Sequence, residues 1–493
     1  MSLSCSKFTG LGCSYSPLTH LLLMKTVQQI QHLSHTRKAG ADWLYGHLGK
    51  CPVGRYPNGP VGPPIEATMA HFKLLKLIEL TYASELNDFE PASKFKIVID
   101  QAKAPRYLLY DVNPGEGFNL RRDVYMRIAI LARSLNVDSP WILVLPPWSR
   151  LYHWKSRDLG SQERIPWSAF FDLHSLRRFV PVMEFDEFLK ISQEQIIDEV
   201  YYLQHYEEGW DKWEEKMDIR PCLQKPYHLD VKSKLWHGWF YGYGDEVAAR
   251  KFECMSVMGH AGVLKPFLMT NTTARSVMLD RAETVLHDRF GDSEFWEVRR
   301  SMRFSKELRR IADDFRMFQL DSTDEQDMTM LEDDWTQMKR KPGDAIGGPY
   351  LAVHLRRADF AKVREKDVPS IKHAAKQLKK MCKKMELQKI FVATDATSEE
   401  FAELKGNLKD FSVYRYEPTL EIKKKIKDGG VAIIDQWICA HARYFIGTRE
   451  STFSFRIQDE REILGFNPDT TFNRLCHEKD KTCEQPTRWT IKY

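Results

Sequence analysis

No stretch of this 493-residue chain approaches the ~20 consecutive apolar residues that a membrane-spanning helix requires. Residues 18–24 form a brief apolar patch broken by His20, and residues 72–80 carry lysines and a glutamate. Neither reads as a span, and the first, after a start without positive charge, does not read as a secretory leader. The closing Thr490-Ile491-Lys492-Tyr493 is no retention tetrapeptide. Charge of one sign is also lacking: 73 basic residues oppose 68 acidic ones, for a net +5. No basic stripe interleaved with aromatics emerges, which excludes a nucleic-acid binder as the leading reading. The lysines near residues 378–384 and 423–427 are expected on solvated helix faces.

Metal and nicotinamide signatures are missing as well. Acidic runs at 321–327 and 332–334 sit in polar stretches with no adjoining apolar strand, so they are read as solvated loops and no metal site is expected. Gly115 and Gly117 begin a dinucleotide fingerprint, but Leu120 stands where its third glycine belongs. The next strand, 141–145, ends in Pro146-Pro147 without a ribose-binding acid.

What the chain does contain is a repeated alternation of strand and helix. Tyr107-Leu108-Leu109-Tyr110-Asp111-Val112 reads as a buried strand, followed by a tight turn over 113–119 and a helix through Leu131. Glu116 is held between two glycines where backbone can approach a ligand closely; an ordinary helix-start acid is the alternative. A second strand, Tyr350-Leu351-Ala352-Val353, ends in His354-Leu355-Arg356-Arg357. Guanidiniums at the carboxyl end of such a strand lie where open α/β sheets bind ligands, and their planar forks suit phosphate oxygens. Surface ion pairing is the commoner fate of such arginines. A third strand, 443–447, leads to Ser451 and Thr452 at the start of a helix over 452–460. Their hydroxyls and the helix's free amides would face a bound anion, unless one hydroxyl merely caps the helix.

Strands at 349–355, 389–394, 411–416 and 443–447 alternate with helices at 371–385, 431–441 and 452–460 in doubly wound order. Aromatic stretches at 210–213 and 236–243 are read as core rather than acceptor groove. With 43% hydrophobic residues, a chain this long divides into more than one core. The expected organisation is a divergent, partly irregular segment over 1–103 with a turn-rich span at 51–64, an α/β domain over 104–310, and a second over 311–493 whose last segment packs back on the first.

The combination Asn-Pro-Gly-Glu-Gly-Phe-Asn-Leu-Arg-Arg-Asp-Val-Tyr at 113–125 with His-Leu-Arg-Arg-Ala-Asp-Phe at 354–360 closely resembles the GDP-fucose protein O-fucosyltransferases. The likeness runs from about 104 to 493 and continues through Val144 to Trp148, Trp167 to Phe171, Ala274 to Ala282, Val392-Ala393-Thr394-Asp395 and Gly429 to Trp437. The resemblance implies two Rossmann-like domains facing a cleft, the GT-B-type glycosyltransferase fold. It implies transfer of L-fucose from GDP-fucose, with inversion, to Ser or Thr hydroxyls of folded thrombospondin type 1 repeats. Glu116 is then the catalytic base and Arg356 the stabiliser of the leaving diphosphate. Gly117, Asn119, His354, Asp435, Ser451, Thr452 and Phe453 surround the donor, and no cofactor or metal is required.

The resemblance further implies disulfides Cys222–Cys254 and Cys476–Cys483, residence in the endoplasmic reticulum lumen, and a glycan at the sequon Asn271-Thr272-Thr273. Cys439, in an apolar helix, is expected to stay free, and Cys5, Cys13 and Cys51 are unassigned. Two departures stand out: Gly115 replaces a proline, which would loosen the turn, and Arg449-Glu450 replace smaller residues, which would disturb the phosphate wall. Two other classes compete: a non-catalytic quality-control binder of cysteine-rich repeats, and a fucosyltransferase acting on glycans. Joint presence of Glu116 and Arg356 argues against the first, and the match throughout the first half against the second.

Overall fold

The computed structural model describes residues 104–149, 151–192, 194–209 and 212–493; the span 51–64, Trp210, and Cys5, Cys13 and Cys51 lie outside the described residues. Strand β1 (Arg106–Tyr110) is flanked by parallel neighbours and buried on both faces, Leu108 and Tyr110 entering one hydrophobic core and Tyr107 and Leu109 another. Helix α1 (Phe118–Leu135) follows and buries Val124, Tyr125, Ile128, Ala129, Leu131, Ala132 and Leu135, a stripe at helical spacing. The first sheet is completed by β2 (Trp141–Leu145), β3 (Val182–Glu184), β4 (Ile196–Gln204), β5 (Lys216–Arg220), β6 (His228–Asp230), β7 (Leu235–His237), β8 (Ala248–Met258) and β9 (Ser276–Asp280). Its order is β3-β2-β1-β9-β4-β8-β7-β6, with β5 also on β8. Strands β3 to β8 along that path are parallel, while β5, β6 and β7 make antiparallel pairs.

Helices α2 (Ser293–Ser301) and α3 (Lys306–Leu320) lead to the second sheet. Its strands are β10 (Gly348–Leu355), then, after α4 (Ile371–Lys384), β11 (Lys389–Thr394) and, after α5 (Ser398–Asn407), β12 (Ser412–Tyr414). Helix α6 (Leu420–Ala440), β13 (Ala442–Gly447), α7 (Thr452–Leu464) and β14 (Asn473–Arg474) complete it. All five strands are parallel in the order β12-β11-β10-β13-β14. Every β10 residue from Tyr350 to Leu355 is buried, so the strand reads as a continuous apolar run broken only by His354.

Three expectations need correction here. Helix α6 begins eleven residues before the expected 431, and its backbone breaks at Lys427 (φ 61°). Lys423 and Lys427 do not simply solvate a face: their ammoniums donate to Ser156 Oγ (3.0 Å) and the Leu159 carbonyl (2.6 Å) of the first half. Lysines placed one turn apart flag an exposed stripe only when no partner element covers them. The acidic run 321–327 is likewise not a free loop. Asp324 and Asp327 join Asp313 around the buried Arg316 at 2.8 to 3.2 Å, the usual fate of a charge that cannot reach water.

The two sheets share one hydrophobic core, which runs from β1 and α1 to α6 and α7. Gly429 of α6 marks a close approach: a Cβ there would lie 2.6 Å from Phe170 and 2.7 Å from Trp154. Buried Arg299 of α2 pairs with Asp459 (3.1 Å) and Glu460 (2.9 Å) of α7. The carboxyl-terminal segment returns to the first half, where Trp489 meets Phe290. Phe240, Tyr241 and Tyr243 are core, as expected, whereas Trp213 and Trp239 are 47% and 42% exposed. Cysteines 222 and 254 are bonded, as are 476 and 483, while Cys382 and Cys439 are free and buried.

Candidate active site

The loop after β1 brings Glu116 to the cleft. Asn113 opens a turn in which its carbonyl accepts from the Glu116 amide (2.9 Å), and Arg121 of α1 donates to the carbonyls of Glu116 and Asn113 (both 3.1 Å). The turn is therefore tied by its own helix and does not depend on a proline at 115, where an added Cβ would meet nothing closer than 4.0 Å. No described residue hydrogen-bonds the Glu116 carboxylate. Partial burial and the nearby Glu283 carboxylate raise its pKa, against the pull of Arg121 and Arg281. Behind it, Asp111 and Asp280 at the ends of β1 and β9 are both pushed up by burial. A recess of about 260 Å³ opens between this turn, Pro147, Ser149, Trp239 and Tyr241.

Opposite lies the carboxyl end of β10. The Arg356 amide donates to Thr448 Oγ1 (2.9 Å), whose hydroxyl donates to the His354 carbonyl (2.9 Å), which fastens the end of β10 to the end of β13. The Arg356 guanidinium is braced by Asp359 (2.8 Å) and Asp395 (3.2 Å). Its Nη1 takes no partner among the described residues. Arg357 points elsewhere, onto Glu400 (2.7 Å) and the Pro369 carbonyl (3.1 Å). Of the two guanidiniums, one faces the cleft and the other is a structural ion pair.

His153, which sequence reasoning missed, joins the walls. Its ring lies 3.4 Å from Arg356 Nη2, and a Cβ on Gly117 would sit 3.5 Å from it. Burial, then the Arg356 charge, lowers its pKa, so it stays neutral beside the guanidinium. A side chain at 117 would crowd this junction, a physical reason for glycine beside Glu116.

The remaining expected residues line the second-half wall. His354 is buried, stacks on Phe453 with ring centres 4.3 Å apart, and shares a hydrogen bond with Ser454 Oγ (2.9 Å). Burial, aided by Arg356, drops its pKa to about 3, so it is neutral. Ser451 precedes α7 in extended conformation but its hydroxyl does not cap the helix, and Thr452 is exposed. The capping alternative thus fails for Ser451, and the first-turn amides of α7 are left for a ligand. Asp435 Oδ1 is sealed from solvent and accepts no hydrogen bond, and burial pushes this carboxyl well above the ordinary range. The Tyr416 hydroxyl, whose own pKa is raised by burial and then by Asp435, also lacks a partner. Asn119 accepts from Gln436 Nε2 (2.9 Å) and Arg122 (3.3 Å).

Arg449 and Glu450 turn outward, Arg449 onto Asp367 (3.2 Å) and Glu450 onto Arg364. They brace the 364–367 loop instead of occupying the phosphate wall. Among the described residues no group of three or more His, Cys, Asp or Glu is placed to hold a metal ion. Gln436, Asp359 and Thr448 were missed along with His153. Asp359 and Gln436 lie inside recognisable motifs and Thr448 directly follows a strand, yet nothing in their local pattern specifies their distant partners.

Two α/β halves with doubly wound strand ends facing across a cleft, a carboxylate on one side and a braced guanidinium with free helix amides on the other, define a glycosyltransferase of the GT-B type. The family model for GDP-fucose protein O-fucosyltransferases matches residues 107–464. GDP-fucose protein O-fucosyltransferase 2 of Homo sapiens is 54% identical over 399 residues, covering 80% of this chain and 92% of that protein. Its Caenorhabditis elegans namesake is 48% identical over 435 residues, covering 86% and 100%. A crystal structure of POFUT1 in complex with GDP-fucose aligns at a TM-score of 0.49 and 17% identity over 76% of this chain and 99% of that one. The chain belongs to the GDP-fucose protein O-fucosyltransferase family and is a glycosyltransferase.

Proposed function

We propose that this protein transfers L-fucose from GDP-fucose, with inversion, to Ser or Thr hydroxyls of folded thrombospondin type 1 repeats. Residues 104–310 supply the base and the acceptor side, and residues 311–493 hold the nucleotide. Glu116 takes the proton from the acceptor hydroxyl as its oxygen bonds to the anomeric carbon. The bond from that carbon to the β-phosphate oxygen breaks on the far side through an oxocarbenium-like state, and GDP leaves. Arg356 and the first-turn amides of α7 hold the charge that develops on the diphosphate, with no metal ion in the step. Thr452 and Ser451 hydroxyls face the same phosphates, while His354, neutral and stacked on Phe453, forms the wall beside them.

The observation that carries this reading is Asp435. A sealed carboxylate oxygen without a partner is costly, and the N1–H and exocyclic amine of guanine would supply the paired donors it lacks. Gly117 and Asn119 line the same donor from the opposite wall. The recess beside Glu116 offers the acceptor chain a place within the base's reach. Exposed Asn271, an oxidising compartment for the two disulfides, and the endoplasmic reticulum lumen complete the reading.

The test is incubation of the purified chain with GDP-fucose and a disulfide-bonded thrombospondin repeat, with and without a chelator, followed by mass spectrometry of the repeat. Gain of one deoxyhexose in both arms is expected, and nuclear magnetic resonance of the product gives the anomeric configuration. Retained binding of the repeat with no gain of mass would instead establish a non-catalytic binder. Fucosylation of a free glycan but not of the repeat would establish a glycan-directed enzyme.

A further inference from the structure

Helix α6 carries Asp435 on one side and, one residue on, a glutamine that crosses to the other half of the molecule. Gln436 is 3% exposed, and its amide is used at both ends: Oε1 accepts from Arg122 Nη1 (2.8 Å) and Nε2 donates to Asn119 Oδ1 (2.9 Å). Arg122 is fully buried beneath the first turn of α1, with its guanidinium carbon 5.0 to 5.7 Å from the ring centres of Phe304, Phe171 and Phe118. Its Nη1 also reaches Asn119 Oδ1 (3.3 Å).

This triangle has a direction set by chemistry. A guanidinium only donates. Arg122 therefore fixes the oxygen end of Gln436 toward itself, which leaves the nitrogen end of Gln436 to donate. Asn119 must then present its oxygen, and its Nδ2, with two N–H donors, is turned away from the triangle. No described residue accepts from that Nδ2. Asn119 lies two residues beyond Gly117, at the rim of the cleft where Gly117, His153 and Arg356 come together.

We propose that Gln436 and Arg122 are positioning residues that lock the side-chain amide of Asn119 with its N–H donors toward the cleft, where they bind the diphosphate of the donor. The inference rests on the donor site described above and deepens it. It also ties the two halves: the helix that reads guanine through Asp435 is fastened by its next residue to the helix that follows the base, so nucleotide occupancy and the Glu116 wall are held in one register.

Gln436→Glu distinguishes this from simple packing. The introduced carboxylate accepts but cannot donate, so it pairs with Arg122 and draws Asn119 Nδ2 inward. Asn119 then turns its oxygen toward the phosphates, where it repels them. Full-length wild type, Gln436→Glu and the apolar Gln436→Met are titrated with GDP and with guanosine. Gln436→Glu should weaken GDP by about tenfold or more and raise KM for GDP-fucose in parallel, with guanosine affinity changed less than about threefold. Gln436→Met, which frees Asn119 without reversing it, should show the same phosphate-dependent pattern at a smaller size.

In an Asn119→Ala background, Gln436→Glu should cost less than about a further twofold, because the two residues act through one amide. Equal losses for guanosine and GDP would overturn the proposal by showing that the whole helix has moved. An unchanged GDP affinity in Gln436→Glu, or in Gln436→Met should the charged variant not fold, would overturn it too. Wild-type protein that binds neither ligand would instead defeat the donor-site reading itself.

Discussion

On the first-half wall of the cleft, Glu116 stands among carboxylates, with partial burial and Glu283 raising its pKa, and buried Asp111 and half-buried Asp280 at the ends of β1 and β9. On the second-half wall, Arg356 stands between Asp359 and Asp395, with neutral His354 and His153 close by and the amides of α7 opposite. One wall crowds like charges until a carboxylate becomes a better proton acceptor. The other restrains a positive charge so that its free edge is oriented before the diphosphate arrives. In the function proposed above, the first half takes the acceptor proton and the second holds the diphosphate, so transfer would require both sheets.

The largest loss is expected from Arg356→Ala. Removing the guanidinium braced by Asp359 and Asp395 should lower the transfer rate by ~10³-fold or more and weaken GDP as well, since the charge acts on bound and leaving diphosphate alike. Steady-state rates with GDP-fucose and calorimetry with GDP check both. Glu116→Gln should cost ~10²- to 10⁴-fold in rate while GDP binding is kept, because the base acts only on the acceptor proton. Loss of GDP affinity equal to that of Arg356→Ala would remove Glu116 from the role of base.

Asp435 sharpens the contrast from within the second half. Burial raises the pKa of its carboxyl well above the ordinary carboxylate range. Guanine donors favour the ionised form, hence GDP binding near neutral pH should release a proton. Calorimetry in two buffers of different ionisation enthalpy measures that release, and Asp435→Asn should abolish it and weaken GDP by ~10- to 100-fold. Asp111 makes the matching case in the first half. With its folded pKa raised by burial and by Asp280, the folded state binds protons more tightly than the unfolded one. Stability therefore falls as pH rises from the ordinary carboxylate range to the raised value. Asp111→Asn keeps an oxygen for the Val112 amide (2.7 Å) and should raise the melting temperature at pH 8 more than at pH 5.

The same division marks what could be read from the chain. Strands β1 and β10 announce themselves as apolar runs, and the residues at their ends, Glu116, His354 and Arg356, are legible because strand ends in α/β sheets have a fixed meaning. Asp435 could be suspected from an acid among apolar neighbours. What escaped was everything whose role depends on a distant partner: His153 beside Arg356, Gln436 beneath Asn119, Arg316 gathering Asp313, Asp324 and Asp327, and Lys427 reaching Leu159. Periodicity reports which face of an element is buried. It does not report which other element covers that face.

The smallest expected effect concerns the turn at Arg449-Glu450, before α7. Glu450 adopts φ 52°, a left-handed conformation that costs a non-glycine residue ~1 kcal/mol or more, while its side chain, roughly half exposed, pairs with Arg364. Ion pairs at such exposure contribute ~0 to 1 kcal/mol. Glu450→Gly relieves the backbone and gives up the pair, so the two terms oppose each other and stability should move by less than about 1 kcal/mol. Because Arg449 and Glu450 point to the 364–367 loop and not to the phosphate wall, GDP affinity should stay within about twofold. A tenfold loss would mean that the wall depends on this outward pairing, and that the braced, anion-ready surface extends from Arg356 through the turn before α7.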